Sequence, residues 1–465
     1  MIFTSLTFII FSCIFFSFYP FIKKFRQLRY AYIVIASFIF YGWWDWRYLL
    51  LIIFTGSIDF FVALLIERYR HLKKIFLATS LCCNLSILFS FKYLIWFLNS
   101  LFSVSDGIVP FLPAAETFLP EFFHVLPVGI SFYTFQSMSY TIDVYREGLR
   151  PTKNIFQYFS YLSMFPQLVA GPIVRARDVL EQLERPEPLT GERFYDGLSR
   201  IGTGFFKKTV IADTLAPFVN QAFSGDVAAQ GATHWWLIVL AFAIQIYCDF
   251  SGYSDIAIGL ARWMGIDFKD NFNFPYHATS PSDFWKRWHI SLSSWFRDYV
   301  YIPLGGSRAK PPRVLLNLWI TMLLSGFWHG ASWHFVVWGG FHALLLSLQR
   351  LLARYPFPIP NGAKIALTFL GVLVGWIFFR SQTISQACDI ISLLLTPSAY
   401  AWQPLVWGKT LLRVTVYAFF LFNFLMLLPK FRILKERYHP YILAILVAVS
   451  LFYRGDGDAF IYFQF

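Results

Sequence analysis

Residues 314–349 contain no Asp, Glu, Lys or Arg, a run of 36 residues bounded by Arg313 and Arg350. Split into two spans of 18, each span is about 27 Å long at the helical rise, barely the thickness of a bilayer core. The midpoint reads SGFWHGASW, so the run predicts a hairpin with a glycine-containing tip at which His329 lies between Gly326 and Gly330. That tip reaches the far interface, where irregular backbone must be buried in protein or line a cavity.

The rest of the chain is of the same kind. Of its 465 residues 57% are hydrophobic, 21% aromatic and 14% charged. That balance excludes a soluble domain and predicts an all-α polytopic membrane protein. The net charge of +13 does not indicate nucleic acid, because the Lys and Arg residues sit in short connectors between apolar runs. They read as topology signals and anionic-lipid contacts. The five cysteines lie in or beside apolar segments with no metal-ligand spacing, and no metal site is expected. Phosphate-binding glycine loops, HExxH and a nucleophile elbow are all absent from the sequence.

Upstream of the hairpin, Pro281 to Tyr301 is placed on one helix. At 100° per residue, Trp285, Trp288, His289, Leu292, Trp295, Phe296 and Tyr299 share a face. Asp283, Lys286, Arg287, Arg297 and Asp298 share the other. An aromatic face opposite a basic one predicts a helix lying along the membrane surface, with His289 on its inward side.

Charge alternation orders the remaining segments. Met1 to Pro20 reads as a first span rather than a signal peptide, followed by a cytoplasmic cluster of Lys23, Lys24, Arg26 and Arg29. Tyr30 to Trp44 and Tyr48 to Ile66 pair across Trp44, Asp45 and Trp46, and Ile75 to Leu98 leads to an external loop, Ser100 to His124. Pro127 to Asp143 re-enters. Phe156 to Gly171, broken by Pro166, Gly171 and Pro172, reads as a re-entrant element. Arg175 to Arg200 is cytoplasmic with a short helix, Ala176 to Glu184. Thr203 to Phe223 and Trp235 to Ala261 enclose an external loop. Ala366 to Phe379, Leu411 to Leu428 and Tyr441 to Phe452 complete eleven or twelve spans, with a cytoplasmic turn at Lys430, Arg432, Lys435 and Arg437.

His329 is the candidate catalytic residue: ionisable groups in a span mark function, its glycine neighbours allow close approach of a substrate, and imidazole titrates near neutrality. At such a tip little packing is expected to depend on it. His71, His124, His234 and His439 lie near span ends, and His334 and His342 are read as packing residues. Asp249 and Asp255 are open to three roles, namely cation binding, acid–base work or pairing with Arg or Lys across helices, and pairing is favoured.

WKRWHISLSSWFRDYVYIPLGG and LLSGFWHGASW resemble the membrane-bound O-acyltransferases, in their bacterial alginate O-acetyltransferase branch. So do PVGISFYTFQSMSYTIDVYR, FPQLVAGPIVR, CDFSGYSDIAIGLA, GWIFFRS and the terminal FIYFQF. The resemblance covers nearly the whole chain in order. It implies one membrane domain over 1–465, with N-terminal spans in 1–98, a catalytic core in 125–350 and C-terminal spans in 364–465, and a bacterial inner-membrane location. His329 falls on the family's active-site histidine and His289 on its other characteristic histidine, whose role is structural or chemical. Asn273, Trp285, Arg297 and Trp328, with Asp249 and Asp255, are candidate tunnel residues. The implied reaction takes an acyl group from a cytoplasmic thioester, acetyl-coenzyme A or an acyl carrier protein. The acceptor outside is an exported polysaccharide such as alginate, or a periplasmic partner. D-Alanyl transfer to teichoic acid is the alternative within the family, and a transporter or flippase the alternative outside it.

Overall fold

The computed structural model describes residues 1–105, 119–120, 123–354, 358–400, 408–427 and 438–452. Most of the expected external loop Ser100 to His124 lies outside these residues, as do the basic turn at Lys430 to Arg437 and the terminal FIYFQF. Among the described residues the regular structure is helical throughout, and the protein is an all-α, multi-pass membrane protein. Five helical stretches are long and apolar enough to cross a membrane: Arg26–Arg68, Arg70–Leu101, Ala232–Met264, Trp333–Leu352 and Asn361–Arg380. Shorter apolar helices accompany them. The chain divides into two compact units.

The first unit comprises residues 1–198 and 257–269. α1 (Leu6–Ile22) starts at Ser5, whose hydroxyl accepts the Phe8 N–H at 3.1 Å, and α2 (Arg26–Asp45) returns antiparallel. Leu6, Ile10, Ile14, Phe18 and Phe21 are exposed along one side of α1, while Phe8, Phe15 and Tyr19 are buried on the other. An apolar stripe of that extent belongs against lipid. Asp45 ends α2 and accepts the Arg47 N–H at 3.0 Å, which makes the tight connector to α3 (Leu49–Arg68). α4 (Lys73–Leu88), α5 (Leu94–Ser105) and α6 (Ile130–Tyr145) follow, and α3, α4 and α6 pack on one another.

The re-entrant reading of Phe156 to Gly171 is matched by two buried fragments, α7 (Ile155–Leu162) and α8 (Phe165–Leu168), too short to span. Asn154 caps α7 by accepting the Phe156 and Gln157 N–H groups. Phe165 packs among Phe8, Phe11, Phe15 and Phe40. α9 spans Ala176–Glu184, the bounds of the short helix expected there. Its last carbonyls are closed by the buried Arg29 guanidinium, which donates to Leu183 O at 3.1 and 2.9 Å and to Glu184 O at 2.9 Å. α10 (Gly191–Phe205) carries the chain into the second unit.

The second unit comprises residues 199–256 and 270–465. A π-helical stretch, Phe206–Ala212, joins α10 to α11 (Asp213–Ser224), and α12 (Ala232–Met264) begins in this unit and ends in the first. Gly204 and Gly252 let α10 and α12 touch through their backbones. A Cβ on Gly204 would fall 2.5 Å from Gly252 O, and one on Gly252 would fall 2.7 Å from Gly204 O.

The single helix expected over Pro281 to Tyr301 is not what forms. Ser280 caps α13 (Pro281–Arg287), the chain breaks at Trp288 and His289, and α14 (Ile290–Phe296) leads into π-helical turns at Arg297–Tyr301. The predicted inward face survives the break: Trp288, His289, Leu292, Trp295, Phe296 and Tyr299 are all buried, and only Trp285 is half-buried.

The uncharged run forms the predicted hairpin, α15 (Pro311–His329) and α16 (Trp333–Leu352). α17 (Asn361–Arg380), α18 (Ile384–Leu395), α19 (Gly408–Leu427) and α20 (His439–Phe452) complete the unit.

Candidate active site

His289 sits at the break between α13 and α14 with φ at 42°, in the left-handed region that a non-glycine residue enters only when its surroundings hold it there. Asn271 does the holding. Its backbone carbonyl accepts the Ile290 N–H at 2.9 Å, and its Oδ1 accepts the Ser291 N–H at 3.1 Å and the Ser291 hydroxyl at 2.9 Å. Its Nδ2 donates to Ser254 Oγ at 3.2 Å.

The same Oδ1 lies 3.2 Å from His289 Nδ1. The Ser291 amide can only donate, so the atom it reaches must be the side-chain oxygen, and His289 Nδ1 must then carry the proton. The neutral ring therefore keeps its lone pair on Nε2. His289 is completely buried, with Phe250 edge-on at a centroid distance of 4.6 Å.

Trp328 joins the two histidines. Its ring centroid is 6.2 Å from that of His289 and 5.0 Å from that of His329. His329 is the last residue of α15, 4% exposed, and is walled by Trp338 at 4.9 Å and Phe379 at 5.3 Å.

Two expectations about this tip need correction. The glycines do not open room for a substrate. A Cβ on Gly326 would lie 2.3 Å from Phe335 O, and one on Gly330 would lie 2.2 Å from the Phe335 ring, so both serve the close approach of α15 to α16. Nor is His329 free of packing, since three aromatic rings surround it.

A cavity of about 160 Å³ opens beside the site, lined by Trp285, Phe296, Arg297, Thr321, Met322 and Ser325 among others. Ser325 precedes His329 by one helical turn. Of the tunnel candidates, Trp285 and Arg297 line this cavity and Trp328 touches both histidines. Trp285 also packs on His342 at 5.0 Å and Trp338 at 5.7 Å. Arg297 is exposed and bonded to Asp298 at 2.7 Å. At the start of α13, partial burial pushes the Asp283 carboxyl up, but hydrogen bonds from Arg287 and the Thr279 N–H hold it below the ordinary carboxylate range.

Asn273, Asp249 and Asp255 do not line the cavity. Asn273 is exposed, with its N–H bonded to Arg287 O at 2.9 Å. Asp255 pairs with Arg200 at 2.8 Å and Lys207 at 2.6 Å, and Arg200 also reaches Asp270 at 2.6 Å. Asp249 pairs with Lys208 at 2.8 Å, which also binds Asp213 at 2.7 Å. The two carboxylates are thus held by cations of the π-helical stretch and α10, the pairing role of the three left open. Asn271, Lys207 and Lys208 are the residues that sequence reasoning passed over. No local signal marks Asn271, which lies 18 positions from the histidine it holds.

A family model described as "MBOAT, membrane-bound O-acyltransferase family" matches residues 139–379, which include α12, both histidines and the cavity. The chain belongs to the membrane-bound O-acyltransferase family. It falls in the alginate O-acetylase-like branch. It is 39% identical over 373 residues to the probable alginate O-acetylase AlgI of Pseudomonas aeruginosa, covering 78% of this chain and 69% of that protein. It is 33% identical over 392 residues to the peptidoglycan O-acetyltransferase of Helicobacter pylori, covering 77% and 72%. A teichoic acid D-alanyltransferase of Bacillus subtilis is 27% identical over 261 residues, covering 53% and 64%. Membership makes this protein an O-acyltransferase, so the transporter reading falls away.

Proposed function

We propose that this O-acyltransferase moves an acetyl group from a cytoplasmic thioester, acetyl-coenzyme A or an acyl carrier protein, for O-acetylation of an exported polysaccharide such as alginate. The acceptor is the polymer itself or a periplasmic partner that completes the transfer. The observation that carries the reading is the pair of buried histidines that both contact Trp328, in a chain with relatives named for O-acetylation of alginate and of peptidoglycan.

In this reading His329 takes the proton of the acceptor hydroxyl as its oxygen attacks the thioester carbonyl. The C–O bond forms, the tetrahedral oxyanion collapses, the C–S bond breaks, and the thiol leaves with the proton from the imidazolium. Indole N–H groups in the surrounding wall are candidate donors to the oxyanion. His289, fixed by Asn271, orients the Trp328 side of the site, and the cavity lined by Trp285 and Arg297 takes part of the donor. The whole chain acts as one membrane domain in the bacterial inner membrane. The loops around Lys23 to Arg29, Arg175 to Arg200 and Ser307 to Arg313 face the cytoplasm, and Ser224 to Gly231 faces outside.

Two experiments test this. The purified protein should consume the thioester in a manner that depends on an added acceptor, a hydroxyl-bearing polymer or a periplasmic acetyl-carrying partner, and absence of consumption with either donor and both acceptors overturns the proposed chemistry. Single cysteines at positions 226 and 310 should be labelled from opposite sides, and labelling of position 226 only from the cytoplasm overturns the orientation.

A further inference from the structure

A second cavity, of about 350 Å³, opens between the connector that follows α11 and the end of α18. Asp226, Val227 and Ala228 form one wall. Asp389, Ser392 and Thr396 recur at helical spacing along α18 and its C-cap and form the other, with Leu393 beside them. At the helical rise the polar row from Asp389 to Thr396 is about 10 Å long. Both walls are tied down. Gln386 Nε2 of α18 donates to Phe223 O of α11 at 2.8 Å, and the Trp235 indole N–H donates to Val227 O at 3.1 Å. The cleft is therefore preformed, and its volume is that of a small-ligand site.

Its place relates it to the histidine. α18 begins five residues after Phe379, whose ring lies 5.3 Å from that of His329. In the proposed orientation the hairpin tip, the end of α17 and residues 224–231 all face outside, so the cleft and His329 are on the acceptor's side.

The lining offers acceptors. Asp226 and Asp389 are exposed. Asp226 Oδ1 accepts the Ala228 N–H at 3.0 Å and Asp389 Oδ2 lies 3.5 Å from the Ser385 hydroxyl, which leaves the other oxygen of each carboxylate for a ligand. The Thr396 hydroxyl donates to Ser392 O at 2.8 Å, so its oxygen also faces outward as an acceptor. Among the described residues no lysine, arginine or histidine lines the cleft.

A separate observation comes from the rim. Tyr400 follows Ala399 of the lining, and its hydroxyl donates to Leu394 O at 2.8 Å and accepts the Trp236 indole N–H at 2.9 Å. The ring is nonetheless 47% exposed. Its polar end is satisfied and its orientation fixed, so a bare apolar face stands beside the cleft and contacts a ligand at small entropic cost.

Many hydroxyl donors around an apolar ring face describe a sugar. Sugar hydroxyls form charge-assisted bonds to carboxylates, the stronger kind of hydrogen bond. A uronate would bring its own carboxylate against Asp226 and Asp389 with no cation to offset it, and like charges brought together suppress binding.

We propose that this cleft holds an uncharged segment of the acceptor glycan and discriminates against polyuronates. This rests on the acyl-transfer reading and narrows its acceptor from polysaccharides in general to those without carboxylates at that position.

Binding of end-labelled cellohexaose and hexamannuronate to the full-length protein in detergent is measured by fluorescence polarisation, beside thioester consumption by the same preparation. Cellohexaose should bind saturably and roughly tenfold or more tighter than hexamannuronate at low salt, with the gap narrowing as salt screens the carboxylates. The double variant Asp226→Asn, Asp389→Asn keeps the acceptors and should raise hexamannuronate affinity several-fold. The wild-type comparison decides the matter even if that variant does not fold. Equal affinities, or no binding of cellohexaose, overturn the proposal, and binding of a lysine-rich peptide in its place would make the cleft a docking site for a basic protein segment. Thioester consumption without cellohexaose binding removes this inference alone, whereas cellohexaose binding without thioester consumption supports the cleft and removes the acyl-transfer reading.

Discussion

His289 meets Trp328 edge to face, with ring centroids 6.2 Å apart and an interplanar angle of 63°. The contact links two elements far apart in sequence, a left-handed break between short helices and the last turn of a long one. It also means that whatever fixes the His289 ring bears on the wall shared with His329.

Asn271 is what fixes it, and the substitution Asn271→Asp separates chemistry from scaffold. A carboxylate can accept every hydrogen bond that Oδ1 now accepts, and Ser254 can donate in place of accepting, so the fold should persist. The added negative charge beside Nδ1 stabilises the imidazolium of His289. If neutral His289 is required, activity at low pH should fall, and the acidic limb of the pH–rate profile should move to higher pH. Asn271→Ala should instead lower the melting temperature by leaving the Ser291 donors unpaired. An unchanged profile for a well-folded Asn271→Asp would remove the positioning role.

How much of this was legible beforehand depends on where the determining contacts lie in the chain. The hairpin was legible because the absence of charge is a local property of residues 314–349. The break at His289 was not, because no glycine or proline marks it. The residue that imposes it, Asn271, is 18 positions away. The glycines at the tip were visible but misread, since only the partner helix reveals that Phe335 fills the space beside them. Asp249 and Asp255 could be assigned as paired in principle, but their partners could not be named, because Lys207 and Lys208 lie on another helical stretch, Lys207 being 48 positions from Asp255.

Gly326→Ala tests the packing role of the tip. The new Cβ would lie 2.3 Å from Phe335 O and 3.1 Å from the Gly339 backbone, where no flexible side chain can yield. The helices must separate, at a cost of about 1–3 kcal/mol. A detergent melt should show a clear loss, and a melt matching wild type would mean that α15 and α16 are less closely apposed.

Lys208→Met tests the buried ion pairs. Lys208 is buried with Asp249 and Asp213, their side chains 6%, 3% and 7% exposed. Removing it takes the Lys208 cation from two buried carboxylates, and breaking a buried pair in this way costs about 3–5 kcal/mol. The triple change Lys208→Met, Asp249→Asn and Asp213→Asn should recover most of that loss. Equal melting of single and triple variants would show that the charges do not act as a unit.

The central claim is that His329 is the base. Because its ring is packed by Trp328, Trp338 and Phe379, His329→Ala would combine chemical loss with a cavity, and His329→Gln is the cleaner substitution. The measurement is polysaccharide acylation by His329→Gln and wild type at matched membrane levels and with matched melting temperatures. The account predicts a loss of roughly 10²-fold to 10⁴-fold with thioester binding retained. Acylation by His329→Gln within a few-fold of wild type would contradict it.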